Sequence, residues 1–388
     1  MQKILLCLTI FVFVSAACFV LFYSNSNTSK KSINVIEMIL EKAKSGNSDE
    51  MYKLGHAYEE GLYGLEIDYI KAIHWYQKAI KAGSSDAVNA MGLMYKNGNG
   101  VSKDIKKAEE FFLQAVEKNN YDAYYNLAAL YITNESQYPS YINKAKRLLN
   151  LASDSGHALS MFGLGRIYLH GIGGEQDLEK ARLWYQKAVD FGHKKSTYFL
   201  ADLIRETSKG DLDELLLAGY YYSQARDFNQ PNAEKTLKYF AQECSKNRDK
   251  TKIVYNYAYC NLAAYSDDSL SKYAVGVSYY EGIKGREKDY SKAFNWFLES
   301  AYEKMPQAQY QVAKMFMEGK GTSINLPVSY AWFVVAESSV LPEKQRAEIL
   351  FLKDQVYSLM NLSQRRKAEV MSNSYLEKYS STNFNTAK

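Results

Sequence analysis

Proline is scarce, five in 388 residues, as a helix-rich chain requires, because proline breaks helix interiors. Cysteine is scarcer still. Four copies cannot make the framework of a disulfide-stapled scaffold. Cys7 and Cys18 lie in an apolar leader. Cys244 and Cys260 fall late in the two helices of one predicted hairpin. Antiparallel helices would align such positions poorly for a bridge, so both are read as buried thiols. Charge of one sign is also missing. The net charge is +5 from 48 basic and 43 acidic side chains, too weak and too interspersed for a nucleic-acid surface. Basic runs are short, among them Lys30-Lys31 and Arg365-Arg366-Lys367, the latter read as a solvated helix face.

Motifs that carry chemistry are absent too. His157 and His193 each follow a helix-ending glycine, and His56, His74 and His170 stand far from any cysteine pair, so no metal site is expected. Gly171-Ile172-Gly173-Gly174 resembles a phosphate loop only superficially. No strand precedes it and no Lys-Ser/Thr pair follows. No serine sits in an elbow motif. No catalytic residue, metal ligand or cofactor is therefore assigned.

One three-residue column does recur along the chain. A small residue is followed four later by an apolar one and usually, four later again, by an aromatic. Ala87, Met91 and Tyr95 show it, as do Ala123, Leu127 and Tyr131, and Ser160, Leu164 and Tyr168. The apolar member stands at Leu54, Met91, Leu127, Leu164, Leu200, Leu237, Val275 and Val312, 36 to 38 residues apart. A fixed period of this size marks a stacked helical solenoid.

Each repeat reads as two helices. The first carries the column, with Gly55, Gly92, Gly165 or Gly276 where a neighbour must come close. A glycine-bearing loop follows. The second helix opens on an acidic or amide cap, Asp68, Asp104, Asp177, Asp289 or Asn325. It continues as alanine, an aromatic three later, then alanine: Ala72, Trp75, Ala79, then Ala108, Phe111, Ala115, then Ala181, Trp184, Ala188. The aromatic is expected to fill the gap between repeats. The fifth and sixth repeats are worn. The fifth has Asp211-Leu212-Asp213 in its loop, and the sixth keeps only Leu237, Tyr259 and Ala263 clearly.

The column around Ala87, Met91-Gly92 and Tyr95, the Gly98/Gly100 loop, Asp104 and Lys107-Ala108 resemble the Sel1-like repeat. Leu164-Gly165, Tyr168, Gly171-Ile172-Gly173, Asp177 and the stretch Lys180 to Ala188 follow that pattern almost position for position. The extra residues relative to a 34-residue tetratricopeptide lie in the glycine loop. The resemblance implies an all-α fold, a right-handed αα-superhelix of about eight helix-pair repeats with terminal capping helices. The expected organisation is a leader and tether over 1–31, an N-terminal capping helix over 32–47, the solenoid over 48–341, capping helices over 342–380 and a disordered tail over 381–388.

The resemblance also implies a non-enzymatic scaffold that binds a protein. The partner classes it offers are a host factor, an envelope protein, or a lipase-type toxin neutralised by an immunity protein. A cysteine-rich branch is credited with β-lactamase activity, but its recurring cysteine pairs are missing from this chain.

In helix-pair stacks the first helices line the inner face. Positions two before the column's apolar residue are then groove candidates: Tyr52, Tyr125, Phe162, Tyr198, Tyr273 and Tyr310, with Asn89 and Lys235 interrupting an aromatic ladder. Positions two after include His56, Arg166 and Asp202, and Arg205 lies close by in sequence. The ladder suits both packing and partner contact. Residues 4–23 form an uncharged, mostly apolar run behind Lys3, long enough for one membrane span. Three fates are open: an uncleaved inner-membrane anchor, a cleaved signal near Ser15-Ala16-Ala17, or lipidation at Cys18. All three export the body to the cell envelope or periplasm.

Overall fold

A computed structural model describes residues 35–134, 141–245, 257–283, 286–339 and 342–380. The leader, the tether and the expected tail lie outside the described residues. Among these, no helix is long and apolar enough to cross a membrane, and the regular structure is helical throughout. The chain divides into two compact units, 1–176 and 177–388.

In the first unit residues 35–44 form α1. It is followed by α2 (Ser48–Glu60), α3 (Tyr69–Lys81), α4 (Ser85–Asn97), α5 (Ile105–Glu117), α6 (Tyr121–Thr133), α7 (Ile142–Asp154) and α8 (Ala158–His170). The second unit holds α9 (Leu178–Asp190), α10 (Lys194–Thr207), α11 (Leu212–Asp227), α12 (Ala233–Ser245), α13 (Tyr257–Ala263), α14 (Ser269–Glu281), α15 (Tyr290–Tyr302), α16 (Pro306–Glu318), α17 (Leu326–Glu337), α18 (Glu343–Leu359) and α19 (Leu362–Tyr379). Consecutive helices pack as hairpins, and the fold is an all-α solenoid.

Helix length is set by the caps. Asp68, Asp104, Asp177 and Asp289 accept the backbone N–H three residues on, at 2.9, 3.0, 2.9 and 2.9 Å. Asn325 does the same at 3.3 Å. First helices such as α2, α4 and α8 stop where Gly61, Gly98 and Gly171 take left-handed angles.

The core seam differs from the expectation by one residue. The fully enclosed side chains are Tyr76, Phe112, Leu149, Tyr185, Tyr222, Phe297 and Phe333. Trp75, Phe111 and Trp184 are only partly buried. Ala72, Tyr76 and Ala79 are spaced four and three apart and share one helix face, whereas Trp75 is turned about 100° from Tyr76. The rings rest on the glycines of the first helices. A Cβ at Gly92 would lie 2.5 Å from the Phe112 ring, and one at Gly276 would lie 2.5 Å from Phe297. In the last repeat Trp332 is enclosed as well, because Tyr375 and Tyr379 of α19 pack on it at centroid distances of 5.1 Å.

Cys244 and Cys260 form a disulfide with Cα atoms 4.8 Å apart, contrary to the reading as separate thiols. Cys260 is the fourth of the seven described residues of α13, lies close to the end of α12, and occupies the column that Tyr76 and Phe297 fill elsewhere.

Candidate functional site

The face of interest is built by the first helices of each pair. In the first unit, Tyr52 is partly buried between His56, 6.2 Å away and stacked, and Tyr76, 5.8 Å away. Burial, and then the carboxylates of Asp86, Asp122 and Glu59, push its phenol pKa up. Asn126 of α6 donates to Asn89 of α4 at 2.9 Å, linking neighbouring first helices.

This face carries an apolar notch of about 80 Å³ between α6 and α8. Tyr125, Ala129, Ile132, Leu149, Ile167 and Arg166 are among its walls. It exists because residue 163 is glycine. A Cβ there would stand 3.2 Å from Leu149 and 3.3 Å from Tyr125. Arg166 is exposed at the rim. Lys96 occupies on α4 the register position that Ile132 occupies on α6. Burial without a compensating carboxylate holds its ammonium below the ordinary lysine range.

Phe162 does not join this surface. It is 8% exposed and belongs to the core. Tyr310 of α16, in the second unit, is also buried, because capping helix α18 covers it and its hydroxyl donates to Glu348 at 2.5 Å. Tyr273 packs on Phe297 at 5.4 Å, and burial pushes its pKa up to about 12. Tyr198 shares a 3.1 Å hydrogen bond with Thr236 and sets its ring edge-on to Tyr222. Asp202 accepts from the Tyr222 hydroxyl, to which Arg205 Nε donates at 3.1 Å. Asp202 and Arg205 therefore satisfy one another through Tyr222. Of the ten predicted positions, Tyr125 and Arg166 are the pair brought together at a cavity.

Two features escaped sequence reasoning. The notch depends on Gly163, which repeats no motif. Arg286 is the second. Its guanidinium donates to Ser278 at 2.5 Å, to Asp213 at 3.0 Å and to Asn261 at 3.1 Å, and it lies 4.0 Å over the Tyr279 ring. It thereby ties α11, α13 and α14 together where the repeat pattern is worn. Asp211 and Asp213, which look like loop decay, are the α11 cap and the Arg286 partner. The described residues contain no cluster of three or more His, Cys, Asp or Glu side chains placed to hold a metal. His157 and His193 instead bond Ser160 and Ser196 at 2.8 and 2.7 Å at the starts of α8 and α10.

The Sel1 repeat family model matches residues 51–84, 85–120, 122–157, 158–193, 269–304 and 306–336, more than half of the chain. The chain belongs to the Sel1 repeat family. The matches skip 194–268, which spans α10 to α13. This Sel1 repeat protein is 21% identical over 312 residues to a chitin synthase regulator of Saccharomyces cerevisiae, covering 80% of this chain and 40% of the relative. It is 40% identical over 96 residues to an ERAD-associated E3 ubiquitin-protein ligase component of Arabidopsis thaliana, covering 24% and 15%. It thus spans two-fifths or less of these relatives' lengths. A crystal structure of a protective antigen from uropathogenic Escherichia coli, described as displaying an SLR fold, aligns with a TM-score of 0.40 at 22% identity, covering 89% of this chain and 72% of that one.

Proposed function

We propose that this Sel1 repeat protein is a non-enzymatic scaffold that holds a protein partner on the face of its first helices. The observation that carries the reading is the notch between α6 and α8, where an exposed guanidinium borders an apolar cavity. A surface that costs solvation and serves no packing role is the mark of a binding site. The relatives' names, a regulator of a synthase and a component of a ligase, describe proteins that work through another protein. In this reading Tyr125, Arg166, Tyr52 and His56 line the partner surface of the first unit.

The body is exported and held at a membrane by residues 4–23. The uncharged run supports this, and so does the Cys244–Cys260 bridge, because disulfides persist in oxidising compartments. The test is affinity capture with the full chain from detergent-solubilised membranes, read by mass spectrometry against a Tyr125→Ser/Arg166→Glu double variant. A protein enriched by the wild type and lost in the variant supports the reading, and its identity separates toxin, host and envelope partners. Equal enrichment by both would move the surface elsewhere. Substrate turnover by the purified chain alone would end the scaffold reading.

A further inference from the structure

The first repeat carries an apolar corner that its neighbours lack. Leu62 and Tyr63 in the α2–α3 loop are exposed, and Ile67 and Ile70, at the start of α3, are 58% and 68% exposed. Counted from the capping aspartate, the places of Ile67 and Ile70 hold Lys103 and Lys106 in the second repeat and Gln176 and Glu179 in the fourth. Tyr63 is held at φ 57°, a left-handed conformation that Gly100, Gly173 and Gly321 supply at the same place in later loops. A Cβ on any of those three glycines would run into the preceding second helix. A Cβ on Gly64, beside Tyr63, would meet nothing within 4 Å among the described residues. Backbone strain kept for an exposed ring is a mark of function.

What covers the corner follows from where the chain enters. A tight turn over 45–47 folds α1 back on α2, and Val35, Ile39 and Tyr58 share one apolar cluster. Val35 therefore lies at the end of α2 from which the loop leaves. Residues 24–34 join it to the apolar run 4–23. Eleven residues, even fully extended, span no more than about 40 Å. With that run in a bilayer, the corner is confined near the lipid surface. Its chemistry suits the boundary, where aliphatic side chains enter the acyl region and tyrosine rests among headgroups. Charge supplies no attraction to anionic lipid. Lys71 is paired with Asp68 at 3.1 Å, and Glu60 and Glu66 are exposed beside the corner. Resting on the membrane-tether reading above, we infer that the corner formed by Leu62, Tyr63, Ile67 and Ile70 docks on zwitterionic lipid of the membrane that anchors the chain.

The test uses the full chain reconstituted in phosphatidylcholine vesicles that contain a spin-labelled acyl chain as quencher. A thiol-reactive fluorophore is placed at Ile70→Cys or at Lys81→Cys in a Cys7→Ser/Cys18→Ser background; Cys244 and Cys260 are bridged and do not react. Lys81 is exposed at the far end of the same helix, about 16 Å away along its axis. The label at position 70 should be quenched about threefold more than the label at 81. That excess should be the same with added phosphatidylserine and at high salt. Leu62→Ser/Ile67→Ser should remove most of it while helicity by circular dichroism is kept. Equal quenching at both positions, an excess untouched by the serine variant, or quenching that requires phosphatidylserine or vanishes in salt overturns the inference. Self-quenching between labelled chains without lipid quenching also overturns it and makes the corner a contact between two copies. An alkaline carbonate wash reads the tether separately. If the chain stays in the vesicles and the label at 70 is not quenched, this inference fails while the tether reading stands. If the chain washes off, the tether reading fails and takes this inference with it.

Discussion

Gly92→Ala offers the sharpest test of how the stack is built. Position 92 is inside α4, where glycine costs about 1 kcal/mol of helix propensity relative to alanine. Propensity alone therefore makes the substitution stabilising. The structure reverses the sign. The new methyl would sit 2.5 and 2.6 Å from two ring carbons of Phe112, against an ordinary contact of about 3.7 Å. Phe112 is fully enclosed and has no room to swing away. Overpacking of this kind costs about 1–3 kcal/mol, and an overlap of more than an ångström on a rigid ring belongs at the upper end. The net expectation is a loss of about 1–2 kcal/mol. For a chain of this size that lowers the midpoint by roughly 1–3 °C in a thermal melt followed by circular dichroism. A second variant tests the cause. In a Phe112→Leu background the ring is gone, so Gly92→Ala should cost less, with a coupling of about 1 kcal/mol or more. A Gly92→Ala protein as stable as the wild type, or no coupling in the double variant, would refute the ring-on-glycine account of the repeat seam.

Phe112→Ala should destabilise by about 3–5 kcal/mol, while Trp184→Ala, at a partly exposed site, should cost clearly less; denaturant titration of the two decides whether the seam runs through the enclosed column. Alkylation under denaturing, non-reducing conditions should find Cys244 and Cys260 blocked. Replacing both with serine should cost about 3 kcal/mol by the loop-closure estimate for a loop of this length; free thiols at both positions would contradict the bridge. Asp104→Ala should lower stability by about 1 kcal/mol by uncapping α5, and an unchanged melt would deny the cap its role. Burial raises the phenol pKa values of Tyr76, Tyr222, Tyr273, Tyr279 and Tyr310 above the unfolded value of 10.0. The folded state therefore holds these protons more tightly than the unfolded one. Their contribution is intact below pH about 10 and is lost as pH rises beyond it, by up to about 1.4 kcal/mol per pH unit for each group. Denaturant midpoints at pH 9 and pH 11 measure this, and a tyrosinate absorbance showing every phenol ionised in the folded protein at pH 11 would exclude it.

What the amino-acid order settled by itself is local. The repeat period, the aspartate caps and the glycine stops act within a turn or two of helix, so Asp68, Asp104, Asp177 and Asp289 could be assigned before any contact was known. The close approach at Gly55, Gly92 and Gly276 was legible too, because only a missing side chain explains glycine in mid-helix. The tertiary structure decided what depends on helices facing one another. It put Tyr76 and Phe112 in the seam and left Trp75 and Trp184 at its margin, a rotation of one residue that periodicity cannot resolve when both positions are aromatic. It joined Cys244 of α12 to Cys260 of α13. It gave Asp213 to Arg286 across 73 positions of chain, and it opened a notch at Gly163 beside Arg166. Such contacts form between surfaces whose relative orientation no short stretch of sequence records.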